Sequence, residues 1–497
     1  MDTLKELIKI VNRKRLSKID IFDKTFLNKN STNLYYQLYE GIESGAINDD
    51  ASAANYLYGN KDKDPRYRKL KSRFKSKILK SILLFDTEEI FNNDRGRTYY
   101  ECLTHNQTLE IIIQLTGTTK LVYELVKENY AKAAQYNFYD IQRNYSFYLL
   151  SYYALKGDSK AFAKEEENYL KYIQLAQKEQ YAKFLYYKSA ICFENQAPIT
   201  DELLQSVSAN LEELRNIKNV LNNTEITFFY YFLALEFYQK NNEYYKLIEI
   251  SNEAEQLMIN NSSAFTNTRK IIIVLFKLSA ILSTRQFEAG LNLIKDESYI
   301  SIPEGNYNWF LLKETEFKLY LQNKNLPEAY KVYEEVLDNK SFKRQADQIT
   351  EKWKIYHAYW VFMDSYLNQG EYKFSLPKFL NEVPVNTKDK SGYNFAIRII
   401  EMLFQMARKD YNLLFSKMDA LRVYRSRYLN DNTYKRNHLF LSLLLKSEKS
   451  GFLGKEMQKA NWTEVAELRK QNNYIIADWE IIPYEELWDI FVDLAKK

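Results

Sequence analysis

Cys102 and His105 stand three residues apart in YECLTHN, a spacing that on a helix brings a thiol and an imidazole about one turn from each other. A cysteine beside a histidine is the minimal nucleophile and base of covalent catalysis. A single Cys and a single His at helical spacing are more often core and cap residues, and that is the expectation for this pair. The remaining chemistry is thinner. GFLGKEM at 451–457 has neither the spacing nor the hydroxyl residue of a phosphate-binding loop, and GxGxxG, HExxH and GxSxG are absent. The acidic run KEEEN at 164–168 reads as a solvated helix face. The two cysteines, Cys102 and Cys192, and the three histidines, His105, His357 and His438, form no cluster at zinc spacing. No catalytic residue, metal or cofactor is expected, and the chain reads as a non-enzyme.

Cations make the stronger pattern. In RYRKLKSRFKSKILKSILLF, residues 66–85, the side chains Tyr67, Leu70, Phe74, Ile78 and Ile82 advance by three or four and draw one apolar stripe. Arg66, Lys69, Arg73, Lys77 and Lys80 form a basic row on one side of it, and Arg68, Lys71 and Lys75 form a second. Residues 1–100 hold 20 Lys and Arg against 14 Asp and Glu, whereas the remaining 397 hold 50 against 51, so all the net charge of +5 lies in the N-terminal fifth. Such a face suits phosphates, with affinity falling steeply as salt rises. The rival reading is a solvated face that keeps the module soluble or pairs with acids of the same chain. A second basic and aromatic stretch, RVYRSRYLNDNTYKRNH at 422–438, carries Arg422, Arg425, Arg427, Lys435 and Arg436 and could extend an anion-binding surface or form an exposed edge.

These residues must be positioned by helices. Only 12 Gly and 7 Pro occur in 497 residues, well below the usual frequencies of about 7% and 5%, which allows long helices and disfavours a turn-rich β architecture. Turn chemistry recurs at LTGTT, LKGDS, NQAPIT, QKNNE, LSTRQ, QNKNLP, LNQGE, ARKDY and KSGFLG, centred on 117, 157, 198, 241, 284, 325, 370, 410 and 452, a period of about 42 residues. Each break offers a residue suited to a left-handed C-cap followed by Asp, Ser, Thr or Asn to cap the next helix. Before the breaks come apolar, aromatic helices such as NYSFYLLSYYAL, FFYYFLALEFYQ, FLLKETEFKLYL and YHAYWVFMDSYL. After them come amphipathic ones such as LPEAYKVYEEVLD and KDYNLLFSKMDALRV, where Leu413, Leu414, Met418 and Leu421 are expected to share a buried side. Neither partner can bury its surface alone, so hairpins must stack. The fold class is therefore all-α: an α-solenoid of stacked antiparallel hairpins at residues 95–470, preceded by a small basic helical module at 1–94. Within that module helices are expected near 2–12, 32–44, 50–58 and 65–85.

YLQNKNLPEAYKVYEEVL, with Tyr320, Pro327, Ala329, Tyr330 and Tyr333, resembles the tetratricopeptide repeat, and the likeness extends by period over about residues 95–470. The period exceeds the usual 34 residues of that repeat, so longer helices or wider linkers are required, and a HEAT-type hairpin array is the structural alternative. The resemblance implies a surface for a protein or peptide partner. Aromatic residues that could line it are Tyr152, Tyr230, Trp309, Tyr356 and Trp360, each equally suited to the core. DDASAANYLYGNKDKDPRYRKLKSRFKSKIL at 49–79 also resembles the helix-turn-helix part of bacterial winged-helix regulators, without their flanking strands and wing. That likeness implies DNA contact through Arg66, Arg68, Lys69, Lys71, Arg73, Lys75, Lys77 and Lys80.

The C-terminal stretch 471–497 reads as a capping helix, with Leu487, Trp488, Phe491 and Leu494 inward and Glu485, Glu486, Asp489 and Asp493 in water. The N-terminus lacks the pattern of a signal peptide. The longest apolar run, IIIVLFKLSAIL at 271–282, is short and broken by Lys277, so no membrane span is expected. Two unpaired cysteines fit the reducing cytoplasm. The functional expectation is a non-enzymatic helical-repeat scaffold for a protein or peptide partner. The alternative is a nucleic-acid-associated regulator whose N-terminal module binds DNA and whose solenoid senses a partner or ligand.

Overall fold

The computed structural model describes residues 33–59, 64–82, 91, 94–194, 200–221, 223–260, 267–296, 301–345, 347–383, 392–429, 435–459, 463–470 and 479–496. The helix expected near 2–12, the turn at 198 and the side chains of Lys80 and Ile82 lie outside the described residues. Every regular element among the described residues is helical. The chain divides into two compact units, Met1–Gln180 and Tyr181–Lys497.

In the first unit, α1 (Leu34–Glu43), α2 (Asp50–Tyr58) and α3 (Pro65–Ile82) pack together on Leu38, Ala53, Ala54, Tyr67, Leu70, Phe74 and Ile78. Asp49 and Ser52 cap α2 reciprocally, and Gly59 ends it in the left-handed conformation (φ 66°). Two helical hairpins follow: α4 (Asp94–Thr116) with α5 (Lys120–Gln135), and α6 (Tyr139–Lys156) with α7 (Ser159–Glu194), inside which the division between the units falls. Helix α4 touches both α5 and α6.

The second unit continues with α8 (Asp201–Val220) and the pairs α9 (Thr224–Lys240)/α10 (Tyr244–Asn260), α11 (Asn267–Ser283)/α12 (Phe287–Lys295) and α13 (Tyr307–Gln322)/α14 (Leu326–Asp338). After a 3₁₀ turn at Phe342–Arg344 come α15 (Asp347–Leu367)/α16 (Leu376–Glu382), α17 (Tyr393–Ala407)/α18 (Tyr411–Tyr428) and α19 (Lys435–Lys449)/α20 (Gly454–Lys459). Then α21 (Thr463–Arg469) and α22 (Tyr484–Lys496) complete it. First helices of successive hairpins stack on one another, α9 on α11, α11 on α13 and α15 on α17. This sequential packing is the all-α, solenoid-like arrangement that the turn period demands.

One device makes most of the turns. At the end of α13 the Lys324 N–H bonds the Leu321 carbonyl and the Asn325 N–H bonds the Tyr320 carbonyl, with Lys324 left-handed (φ 60°). The same pair of bonds closes α6 at Gly157, α9 at Asn242, α11 at Arg285, α17 at Lys409 and α19 at Gly451/Phe452. The residue after the left-handed position then begins the next helix, as Asn325 does before Leu326 and Pro327.

Hydroxyl groups bridge hairpins at about one period. Tyr145 Oη donates to the Cys102 carbonyl (3.2 Å) and Tyr148 Oη to Glu110 (3.3 Å), tying α6 to α4. Tyr356 Oη donates to Glu314 (2.5 Å), joining α15 to α13, and Tyr359 Oη donates to the Ala396 carbonyl (2.9 Å), joining it to α17.

Two expectations need correcting. On α18, Leu414, Met418 and Leu421 are buried as expected, but Leu413 is exposed. It lies one position off the buried line and contributes nothing to it. On α22, Leu487, Trp488, Phe491 and Leu494 are buried, and so is Glu485, which was expected in water. Arg436 on α19 sits between Glu480 (2.5 Å) and Glu485 (2.6 Å), and Arg285 at the α11–α12 turn also pairs with Glu485. Gln322 Nε2 reaches the Ile481 carbonyl (3.0 Å) and Tyr366 Oη reaches Asp493 (3.1 Å). Residues 480–496 thus bind back across several hairpins of the second unit. Among the described residues no helix is long and apolar enough to cross a membrane.

Candidate functional site

Cys102 and His105 do come together, as part of the core. The Cys102 thiol is fully buried in the core cluster that α4 shares with α5 and α6, and burial pushes its pKa up to about 11, which leaves it protonated and unreactive at neutral pH. His105 Nδ1 lies 2.9 Å from the Tyr145 hydroxyl, and burial lowers the pKa of its ring. The pair serves the joint between α4 and α6.

The basic helix α3 is built differently. Tyr67, Leu70, Phe74 and Ile78 face α1 and α2, and the Tyr67 hydroxyl donates to Asp50 (2.9 Å). Two cations are committed: Arg66 pairs with Asp64 (2.7 Å) and lies over the Tyr58 ring, and Lys71 pairs with Asp50 (2.7 Å). Lys77 lies over the Tyr35 ring at 4.8 Å. Arg68, Lys69, Arg73 and Lys75 are exposed and have no carboxylate partner among the described residues. With about 100° between successive residues, exposed Ser72 and Ser76 form the line opposite the buried stripe. Arg68 and Lys75 flank that line on one side, Lys69 and Arg73 on the other.

In the 422–438 stretch, whose residues 430–434 lie outside the described ones, four of the five cations are engaged within the chain and Arg427 is exposed. Arg436 is buried between two glutamates, Arg422 pairs with Asp419 and Glu448, and Lys435 pairs with Glu467 (2.9 Å). Arg425 donates to the Ser442 hydroxyl (3.1 Å). The stretch knits α18 and α19 to their surroundings, which the alternation of Arg and Tyr could not reveal.

Three of the five aromatic residues expected at a partner surface are in the core: Tyr230, Trp309 and Tyr356 are buried. Tyr230 lies under Lys218 and beside Tyr231, Trp309 packs edge-on to Phe310, and the Tyr356 hydroxyl is occupied by Glu314. Tyr152 is half-buried and stacks on Tyr123 (4.6 Å), and Trp360 is half-buried with Nε1 donating to the Leu326 carbonyl (2.8 Å).

A groove between α4, α6 and α7 of the first unit does expose apolar groups. It encloses about 660 Å³, and Ile111, Leu115 and Phe147 in its lining are 62%, 78% and 50% exposed. Amides of Gln107, Gln114 and Asn144 lie beside them. Glu110 is engaged by Tyr148, and Arg143 pairs with Asp140 (3.3 Å). The sequence signal was present: Gln107, Ile111 and Leu115 recur every four residues, away from the buried line of Cys102, Asn106 and Leu109. Comparison of the chain with protein-family models, curated proteins and solved structures finds no match.

Proposed function

We propose that the protein is a non-enzymatic helical-repeat scaffold that binds a protein or peptide partner. The observation that carries this reading is the first-unit groove, where Ile111, Leu115 and Phe147 stay open to water beside the amides of Gln107 and Gln114. Covering apolar surface is favourable by about 25 cal/mol per Å², and exposed clusters of this kind mark interaction sites. The amides would pair with the backbone of an incoming segment and fix its register. A photo-crosslinker at position 111 tests this in cells: discrete adducts are expected, and they disappear when Leu115 and Phe147 are replaced by Glu. Unchanged adducts in that variant would refute the groove as the binding surface.

One observation favours a second reading, a nucleic-acid-associated regulator. On α3 the two flanking pairs of unneutralised cations and the small Ser72/Ser76 line between them match a helix seated in the major groove of a B-form duplex, with a phosphate strand on either side. Four neutralised phosphates predict that log K falls with log salt at a slope of about −3 to −4. Full-length protein titrated with labelled duplex DNA at two salt concentrations should show that slope, and R68A/K69A/R73A/K75A should flatten it. No binding at low salt, or equal binding to duplex RNA with its narrow major groove, would dismiss this reading.

A further inference from the structure

In the second unit α14, the 3₁₀ turn at 342–344, α15 and α16 surround a cavity of about 340 Å³, within the range of about 300–1,000 Å³ usual for small-molecule sites. Its walls are aromatic: Tyr333, Trp353, Phe374 and Phe379 line it. One polar side chain is set among these rings. His357 stacks on Tyr333 (centroids 4.7 Å, planes 12° apart) and runs parallel to Trp360 (6.2 Å, 9°). Two ring neighbours fix its plane, yet no hydrogen bond engages either nitrogen among the described residues. Burial lowers its pKa, so the ring is neutral at physiological pH, offering one N–H donor and one acceptor. Ser375 lines the same cavity, and its hydroxyl makes no cap bond to α16.

The rim supplies charge. Lys354 and Lys378 reach the Glu382 carboxylate only at 3.6 Å and 3.8 Å, Lys354 also meeting the Glu382 carbonyl at a long 3.5 Å, and all three side chains are well exposed. Pairs of this length in water contribute little, so both ammonium groups are available to a better acceptor. Among the lining residues two cations stand against one carboxylate, with Glu351 of α15 also acting on Lys354, and this lining favours a carboxylate over an ammonium ligand despite the aromatic walls.

We propose that this cavity binds a small planar aromatic carboxylate, its ring against the aromatic walls beside His357 and its carboxylate at Lys354 and Lys378. A rigid ring loses little freedom on entering a flat aromatic slot, and a carboxylate is the acceptor two lysines can share. The site is independent of the first-unit groove and of α3, and stands or falls apart from them.

Isothermal titration of the full-length protein with indole-3-acetate, tryptamine and indole-3-ethanol tests the assignment. The acid should bind saturably with a dissociation constant on the order of 1 mM or tighter. Tryptamine should bind at least about tenfold more weakly. Lys378→Glu, on an exposed side chain, should weaken the acid about tenfold and leave indole-3-ethanol unchanged. Leu337→Trp, which fills the cavity from α14, should abolish both, with circular dichroism verifying the fold. The proposal is overturned if the acid gives no binding isotherm, if tryptamine binds as tightly, or if acid binding ignores both substitutions.

Discussion

Replacing Glu314 by Gln removes one charge from the joint between three successive first helices. Glu314 on α13 accepts from Lys318 on its own helix (3.0 Å) and from Lys352 (3.0 Å) and Tyr356 (2.5 Å) on α15. Tyr356 Oη in turn lies 3.0 Å from Tyr393 Oη on α17. Burial penalises the carboxylate, but Lys318, Lys352 and the Tyr356 hydroxyl outweigh that penalty and bring its pKa from 4.5 to about 2. A carboxyl depressed in the folded state contributes stability that is complete above 4.5 and disappears as pH falls through about 2. The gap is worth roughly 3 kcal/mol. In Glu314→Gln the buried Lys318 ammonium and the half-buried Lys352 keep their charges but lose this shared carboxylate, so the expected cost at pH 7 is about 3–5 kcal/mol. Urea unfolding followed by tryptophan fluorescence measures it. The wild-type advantage should be largest at neutral pH and shrink by most of roughly 3 kcal/mol between pH 4.5 and pH 2. Equal midpoints at pH 7, or a difference that persists undiminished in acid, would refute the account of this joint.

Three further outcomes follow from the geometry. Gly157→Ala meets open space at its added Cβ but keeps φ at 68°, so thermal unfolding should show a loss of about 1–2 kcal/mol from backbone strain alone; Gln369→Gly, which relieves a φ of 52°, should be neutral or stabilising. Arg436→Met removes the only arginine paired with buried Glu480 among the described residues and leaves Glu485 to Arg285 alone. It should cost about 3–5 kcal/mol and speed hydrogen exchange across 484–496 ahead of the rest of the second unit. Iodoacetamide at pH 8 should label half-buried Cys192 and spare Cys102, whose thiol is sealed and titrates only near 11; equal labelling would contradict the packing of α4 on α6.

The hairpin period was legible because a tight helix-to-helix turn is a local event. A left-handed residue falls at or beside 117, 157, 241, 284, 325, 370, 410 and 452. What the sequence concealed is which residue takes that conformation. Gly and Asn are the ones that adopt it cheaply, yet the structure uses Arg285, Lys324, Gln369 and Lys409, one position from the Thr, Asn, Gly or Asp that marks the turn. The strain of about 1–2 kcal/mol at each is offset by the backbone hydrogen bonds that close the turn and by the stacking that the turn permits. A local propensity locates such a turn to within a residue, and tertiary packing decides the last step.

Tyrosines were illegible for the opposite reason. A tyrosine can face water or the core, and its hydroxyl decides by finding a partner. Those partners lie about one hairpin away: 42 residues for Tyr356 and Glu314, 38 for Tyr148 and Glu110, 43 for Tyr145 and Cys102, 37 for Tyr359 and Ala396. Only the stacked register brings such pairs together, so composition offered Tyr230, Trp309 and Tyr356 as surface residues while the fold consumed them. The same register explains why the chain tolerates 42 tyrosines, since a buried one is satisfied wherever a neighbouring hairpin supplies an acceptor. Side chains without such a partner then stand out. Ile111, Leu115 and Phe147 lie open in their groove, Arg68, Lys69, Arg73 and Lys75 have no counter-ion among the described residues, and the ring nitrogens of His357 have no acceptor or donor there. Apart from the His357 ring, which stacks on Tyr333, packing does not require any of these groups to be what they are. Substituting them should therefore spare stability while removing binding, which is the converse of the result expected at Glu314.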